Sequence, residues 1–236
     1  MSITGRQAAT ILPAQEAYTL WASTYDETPN PLIALEERVL APVMDSFASR
    51  DIVDVGCGTG RWLERLELLP PRSLTGIDSS PAMLAQAGRK CRNTTALFHA
   101  SCAATPLSDL SADCVLASFL LSYIPHLPTF AEEIARILRP GGALIVSDLH
   151  PDAITYGWRR TFRSAGNLFE IATFPYTFLD LIAAMYAAGL RLEQVEEPCF
   201  GEEEAGIFRE NGKLARFHQV QSLPVIYWAH FSRRES

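Results

Sequence analysis

The stretch Asp51-Ile52-Val53-Asp54-Val55-Gly56-Cys57-Gly58-Thr59-Gly60-Arg61-Trp62 limits what this chain can fold into more than any other. It reads as a short buried strand, a glycine-rich turn and the start of a helix. Ile52, Val53 and Val55 are β-branched, as a central strand prefers. Gly56, Gly58 and Gly60 allow a sharp turn and let a ligand approach the main chain. The helix that follows directs its free N–H groups at that ligand.

Glycine turns of this kind also serve dinucleotide folds, so the charge around the turn has to identify the ligand. Here the spacing is Gly-x-Gly-x-Gly, and Asp54 ends the strand two residues before the first glycine. A carboxylate there repels a pyrophosphate and suits a ligand with a cationic amino group and a sulfonium. The local charge therefore favours S-adenosylmethionine over a nicotinamide dinucleotide. The competing reading is a capped strand–turn–helix with no ligand. A second acid bears on the choice. Ser73-Leu74-Thr75-Gly76-Ile77-Asp78 reads as the next strand, and Asp78 falls about 20 residues past the turn, where ribose hydroxyls are accepted. Asp78 could instead cap the next helix, although Ser79 or Ser80 could do that.

The 236 residues suffice for one α/β domain with an added cap, and 48% are hydrophobic, enough for a large core. A net charge of −7 argues against broad electrostatic binding to nucleic acid or an anionic membrane. The five cysteines are scattered with no Cys-x-x-Cys pair, so no structural metal is expected. Their odd number, without a signal peptide, suggests a reducing cytoplasm. The longest apolar run, Cys114 to Ile124, is too short to span a bilayer.

Residues 1–13 carry no periodic pattern. From Gln15 to about Asp26 a helix sets Tyr18, Trp21 and Tyr25 on one face; Trp21 suits packing, while the two tyrosine hydroxyls need polar partners. Thr28-Pro29-Asn30-Pro31 breaks this helix, and a second runs from Leu32 to about Phe47. Strands then alternate with helices. Thr59 to Leu69 and Ser80 to Lys90 are helical, Thr95 to His99 and Ala112 to Ala117 are strands, and Thr129 to Leu138 is a helix stopped by Arg139-Pro140-Gly141-Gly142. Gly142 to Leu149 is a fifth strand. This alternation implies a parallel sheet with helices on both faces, and ligands beyond the carboxyl ends of its strands.

Residues 18 to 150 resemble the class I S-adenosylmethionine-dependent methyltransferases, in particular the small-molecule branch. Three segments carry the resemblance: Asp54 to Gly60, Gly76-Ile77-Asp78-Ser79-Ser80-Pro81-Ala82-Met83-Leu84, and Ile137 to Gly142. It implies an α/β Rossmann-like fold with a seven-stranded, mostly parallel sheet, order 3-2-1-4-5-7-6, strand seven antiparallel. It also implies that Gly56 and Gly58 approach the methionine part, that Asp78 holds the ribose, that Ser79 and Met83 flank the adenine, and that Tyr18 and Tyr25 close over the cofactor. Ser118, at the end of strand four, is included in the cofactor set. Many relatives carry an adenine-binding Asp after strand three. Here Ser101 stands there, a weaker acceptor, with backbone groups of Cys102 or Ala103 to share the task.

The remainder is expected to hold the acceptor. Residues 150–176 form a long connection rich in aromatics and arginines, either a lid with Tyr156, Trp158 and Phe174 on a small aromatic or apolar substrate, or a flap filling its own small core. Arg191 to Glu197 and Pro224 to Ser232 are the last two strands. Between them, residues 201–223 are a second candidate cover, with Glu202-Glu203-Glu204 read as a solvated loop. A general base is needed only for certain acceptors. His150, after strand five, and His126, after strand four, are the candidates, with Asp148 as an orienting group or a cation anchor. The expected activity is methyl transfer to a small molecule. The alternatives are another reaction on the same fold and cofactor, or a non-catalytic binding subunit.

Overall fold

The computed structural model describes residues 9–27, 29–92 and 95–235; residues 1–8 and Thr28 fall outside them. In chain order the elements are β1 (Thr10–Leu12), α1 (Ala14–Trp21), α2 (Pro31–Met44), β2 (Asp51–Val55), α3 (Arg61–Leu66), β3 (Ser73–Asp78), α4 (Pro81–Lys90), β4 (Thr95–His99), β5 (Ala112–Ser118) and α5 (Leu127–Ile137). Then follow β6 (Leu138–Leu149), β7 (Thr161–Ser164), β8 (Asn167–Ile171), α6 (Phe178–Ala187), β9 (Leu190–Glu196), α7 (Glu202–Glu210), α8 (Leu214–Val220) and β10 (Ile226–Arg233).

The main sheet has seven strands in the order β4-β3-β2-β5-β6-β10-β9. Its strands run parallel except β10, which is antiparallel to both β6 and β9. This is the expected order, counted along the core strands. β2 is central because four of its five residues are buried, including Val53 and Val55 against the α5 side of the core and Ile52 against the α3 side. Two apolar layers form: α5 and α6 cover one face with Phe130, Ile134 and Leu181, and α2 and α3 cover the other with Leu40, Met44 and Leu63. Direction reverses beside β2, so the carboxyl ends of β2, β3 and β5 open a crevice there. At the opposite end Arg139 Nη1 donates to Asp51 (2.9 Å) and Asp113 (2.8 Å), joining β2, β5 and β6.

Four segments depart from the expectations. Thr10–Leu12 is a strand: it pairs in parallel with β8, and β8 pairs with β7, making a separate three-stranded sheet. The helix stops before Arg139–Gly142, as expected, but the next strand starts at Leu138 instead of Gly142. Leu138 faces Ala112 and Ala143 faces Cys114, so the segment bulges within β6 while pairing continues on either side. Residues 201–223 form α7 and α8, whose Ala205, Phe208, Phe217 and Val220 pack on Leu35 and Phe119. In α7 the acidic run is the helix's first turn, where negative charge is favoured. Glu202 and Glu203 are exposed there, but Glu204 is buried, accepting from Arg38 Nε at 2.9 Å and from Gly201 N. The first helix also ends at Trp21, with a single 3₁₀ turn at Tyr25–Glu27.

Candidate functional site

At the carboxyl ends of β2, β3 and β5 lies a cavity of about 760 Å³, within the ~300–1,000 Å³ usual for small-ligand sites. The glycine turn forms its floor. Gly56 (φ +71°) and Gly58 (φ +55°) both adopt the left-handed conformation, open to glycine without cost. A Cβ on Gly56 would meet Leu120 Cδ1 at 2.7 Å, whereas one on Gly58 would stand in open space. That open space beside the backbone is room for a ligand.

Two carboxylates flank the turn. Asp78 ends β3 and is already shared: its Oδ2 accepts from Gly58 N and its Oδ1 from Ser80 N, each at 2.8 Å. Burial raises its pKa, and those N–H groups oppose the rise. Each oxygen retains a further lone pair for a hydroxyl. Helix α4 is capped by Ser80, whose Oγ accepts from Met83 N, so Asp78 is not needed as its side-chain cap. Asp54 is different. It is buried, and among the described residues its Oδ1 has no hydrogen-bond partner. Burial pushes its carboxyl up to about 8; Arg61 opposes the rise, while Glu36 and Asp78 add to it. An orphaned buried acid is costly, and a cationic group in the cavity would relieve it.

Behind Asp54 sits a buried network. Glu36, on α2, accepts from Ser118 Oγ (2.6 Å), Ser147 Oγ, Trp62 Nε1 (3.2 Å) and Arg61 Nη2. The Arg61 guanidinium keeps its Nη1 buried and unpartnered, and Arg61 lines the cavity. Three tyrosines close another side. Tyr18 meets Tyr123 edge-on at 5.4 Å between ring centroids and Tyr25 at 6.1 Å. Burial raises all three phenols, Tyr123 to about 12, so they stay hydroxyls at neutral pH. The walls also include Ser79, Met83, Ser101 and Cys102. Ser101 Oγ accepts from Ala103 N at 3.2 Å, in a turn that returns the chain after β4.

Residues 53–146 match the family model described as "Methyltransferase domain". That match covers the central strands and the glycine turn, the part of the chain that resembles the class I S-adenosylmethionine-dependent methyltransferases. Among similar proteins are a malonyl-[acyl-carrier protein] O-methyltransferase of Xylella fastidiosa, 29% identical over 68% of this chain and 56% of the relative, and a demethylmenaquinone methyltransferase of Tropheryma whipplei, 31% identical over 64% of each. The chain thus spans less than two thirds of the length of these curated relatives. Among solved structures, an S-adenosylmethionine-dependent methyltransferase of Mesorhizobium loti superposes with a TM-score of 0.68, at 20% identity, over 86% of this chain and all of that one; at that identity the likeness concerns the fold.

All eleven residues expected at the cofactor line this cavity: Tyr18, Tyr25, Asp54, Gly56, Gly58, Asp78, Ser79, Met83, Ser101, Cys102 and Ser118. The residues expected for catalysis and substrate divide. His126 and Phe174 are in its wall, His126 at the exposed rim. His150, Tyr156 and Trp158 are not. Trp158 lines a smaller hollow of about 410 Å³ with Trp21 and packs on Phe200, and Tyr156 O accepts from Arg216.

Both histidines are helix caps. His126 Nδ1 accepts from Thr129 N at 3.3 Å and begins α5. His150 Nδ1 accepts from Asp152 N at 3.1 Å, at a 3₁₀ turn, and its Nε2 meets Glu197 Oε1 at 2.6 Å. A ring nitrogen that accepts from an N–H holds no proton, so the other nitrogen carries it. The Nδ1 lone pair that a base would use is committed in each. Asp148 is committed as well: Arg160 Nη2 donates to its Oδ1 at 2.5 Å, and Ser122 N to its Oδ2 at 2.7 Å. It does not line the cavity, so it is not placed to anchor an acceptor cation there. The aromatics of the hairpin β7–β8 largely fill a core of their own, with Phe162 stacked on Trp21 at 4.8 Å and on Phe169 at 5.3 Å.

Glu36, Arg61, Tyr123 and Arg160 escaped the sequence reading. Arg61 was discoverable, being the first residue after the turn. Glu36, an acid among the inward residues of α2, was a weaker signal. Tyr123 and Arg160 matter through each other and through Asp148, which no local pattern reveals.

Proposed function

We propose that the protein is an S-adenosylmethionine-dependent methyltransferase acting on a small, apolar or aromatic organic molecule. The observation that carries this reading is the unpartnered Oδ1 of buried Asp54 beside the glycine turn. It is the group that an amino-acid ammonium would satisfy, and a pyrophosphate would not. In this reading Asp54 takes the amino group of the methionine part, and Arg61 Nη1 supplies a donor for its carboxylate. Asp78 takes the ribose hydroxyls, and Ser79, Met83, Ser101 and Cys102 line the adenine. Tyr18 and Tyr25 cover the cofactor.

When bound, the cofactor supplies an electrophilic methyl on a sulfonium, which leaves as a neutral thioether. The protein's own share is to position the acceptor in line and exclude water. Positioning alone is worth up to ~7–11 kcal/mol. Phe119, at the end of β5, is held in a left-handed conformation (φ +49°) by Phe119 N donating to Ser147 O at 2.8 Å. This places its ring in the cavity wall. The family resemblance and the size of the cavity support a single domain with a small-molecule substrate, and the scattered unpaired cysteines suit a reducing compartment such as the cytoplasm. Among the described residues no helix is long and apolar enough to cross a membrane.

Calorimetry with S-adenosylmethionine and S-adenosylhomocysteine tests the reading, and both are expected to bind. A folded protein that binds neither at millimolar concentration would overturn it. Binding without passage of a labelled methyl to any acceptor would point instead to another reaction on the same cofactor, or to a binding subunit.

A further inference from the structure

Among the described residues, the acceptor side of the cavity offers hydrogen-bond donors and no free base. Tyr123 contributes a buried hydroxyl that accepts from Tyr18 and whose own proton has no acceptor there. Directly behind it the Arg160 guanidinium lies 5.3 Å from the Tyr123 ring and 4.7 Å from the Phe119 ring, with its Nε also buried and unpartnered. The acid that neutralises Arg160, Asp148, also accepts from Ser122 N and Leu149 N and does not line the cavity. Tyr18, whose hydroxyl donates to Tyr123, extends the same wall and orients the Tyr123 hydroxyl.

An amine arrives at neutral pH as an ammonium, and an alcohol or phenol arrives with its proton. Either must lose that proton before or during attack on a methyl group. The groups that could take it are engaged: the Nδ1 atoms of His126 and His150 cap helices, and the Asp148 oxygens are held as above. Asp54 belongs to the cofactor end. An ammonium would also meet unpaired donors, which is repulsive. A carboxylate meets neither obstacle: it is ionised already, and its two oxygens accept from donors that otherwise stay unsatisfied.

We propose that the acceptor is an apolar or aromatic carboxylate, held through one oxygen by Tyr123 with Arg160 behind it, and converted to its methyl ester. This rests on the cofactor reading given above. Transfer forms one O–CH₃ bond as the S–CH₃ bond breaks. The electron pair stays on sulfur, the carboxylate charge is consumed, and no proton is released, so no base is required. Phe119, Leu120, Ile124 and Phe174 in the wall set the apolar character of the rest of the molecule.

The test is binding to the protein saturated with S-adenosylhomocysteine, followed by calorimetry. The probes are cinnamate, cinnamamide and cinnamylamine, then octanoate, octanamide and octylamine. At least one carboxylate is expected to bind about tenfold or more tighter than the amide and the amine of its own skeleton. Tyr123→Phe keeps the ring and removes the hydroxyl. It is expected to weaken that carboxylate about tenfold, as loss of a hydrogen bond to a charged group does, while leaving the affinity for S-adenosylhomocysteine unchanged. No carboxylate preference in either series, or a preference unaltered in Tyr123→Phe, overturns the carboxylate assignment alone. Failure of S-adenosylhomocysteine to bind overturns the cofactor reading along with it.

Discussion

Gly58 N donates to Asp78 Oδ2 at 2.8 Å, so one carboxylate at the end of β3 holds the glycine turn that follows β2. Asp78 therefore has a structural task besides any contact with a ribose. Asp78→Ala is expected to lower the urea midpoint and to weaken S-adenosylhomocysteine by roughly 1–3 kcal/mol, the usual loss for hydrogen bonds to a charged group. Calorimetry on the folded variant separates the two effects. An unchanged affinity would clear Asp78 of the ribose role.

Asp54 makes ligand binding depend on pH. Its carboxyl is raised to about 8 by burial, so in the free protein it is mostly protonated at neutral pH. A bound ammonium favours the ionised form and lowers that value. Below about pH 8, binding of S-adenosylhomocysteine should therefore release a proton, and affinity should rise with pH until it levels off near 8. Calorimetry in buffers of different ionisation enthalpy reads the proton directly. The same shift sets a stability trend in the free protein. The unfolded carboxyl ionises near ~4 and the folded one near 8, so ionisation favours the unfolded state across that window. Asp54 thus subtracts stability progressively as pH rises from about 4 to 8. Asp54→Asn should abolish this part of the pH dependence, stabilise the free protein at pH 8, and weaken the ligand at least tenfold.

Glu36 is the anchor of the network behind the site. Glu36→Gln leaves the Arg61 cation without its buried counter-charge. Breaking such a pair costs about 3–5 kcal/mol. The loss should appear as a lower denaturation midpoint with an unchanged slope.

Alanine in the glycine turn should separate stability from binding. At Gly56 and Gly58 a left-handed alanine costs ~1–2 kcal/mol. Gly56→Ala adds a clash with Leu120, while Gly58→Ala has room. Gly56→Ala is expected to be the less stable of the two. Gly58→Ala is expected to lose cofactor affinity beyond its loss of stability, because its methyl occupies the ligand's space.

His126→Asn tests whether a cap or a base is needed. Asparagine caps α5 as well as the histidine does, so stability should change by less than about 0.5 kcal/mol. The pH profile of methyl transfer should be unmoved. His126→Ala should cost ~0.5–2 kcal/mol of stability.

The glycine floor of the cavity and its two flanking carboxylates were legible in the sequence because their determinants are local: glycines at fixed intervals, and an acid at each of two strand ends. The sheet order followed from the family those residues resemble. What escaped depended on distant partners. Thr10–Leu12 has no period of its own and becomes a strand only because β8 offers it an edge. The run Glu202-Glu203-Glu204 has the charge of a solvated loop, and Glu204 is buried only because Arg38, 166 residues earlier, meets it. Arg139–Gly142 does stop the helix, but it also bulges within β6, because β5 pairs with Leu138 before it and with Ala143 after it. The histidine caps were within reach. His126 stands three residues before Thr129, the spacing at which a side chain can accept from a helix's first free N–H groups.

Because β1 runs straight into α1 and hydrogen-bonds to the hairpin β7–β8, the segment bearing Tyr18 and the inserted hairpin are fastened into one piece. Any widening of the cavity mouth on that side has to swing both together, with Trp21 still wedged against Phe162. Deleting residues 10–12 would remove the strand pairing that joins the two, at a point remote from the glycine turn.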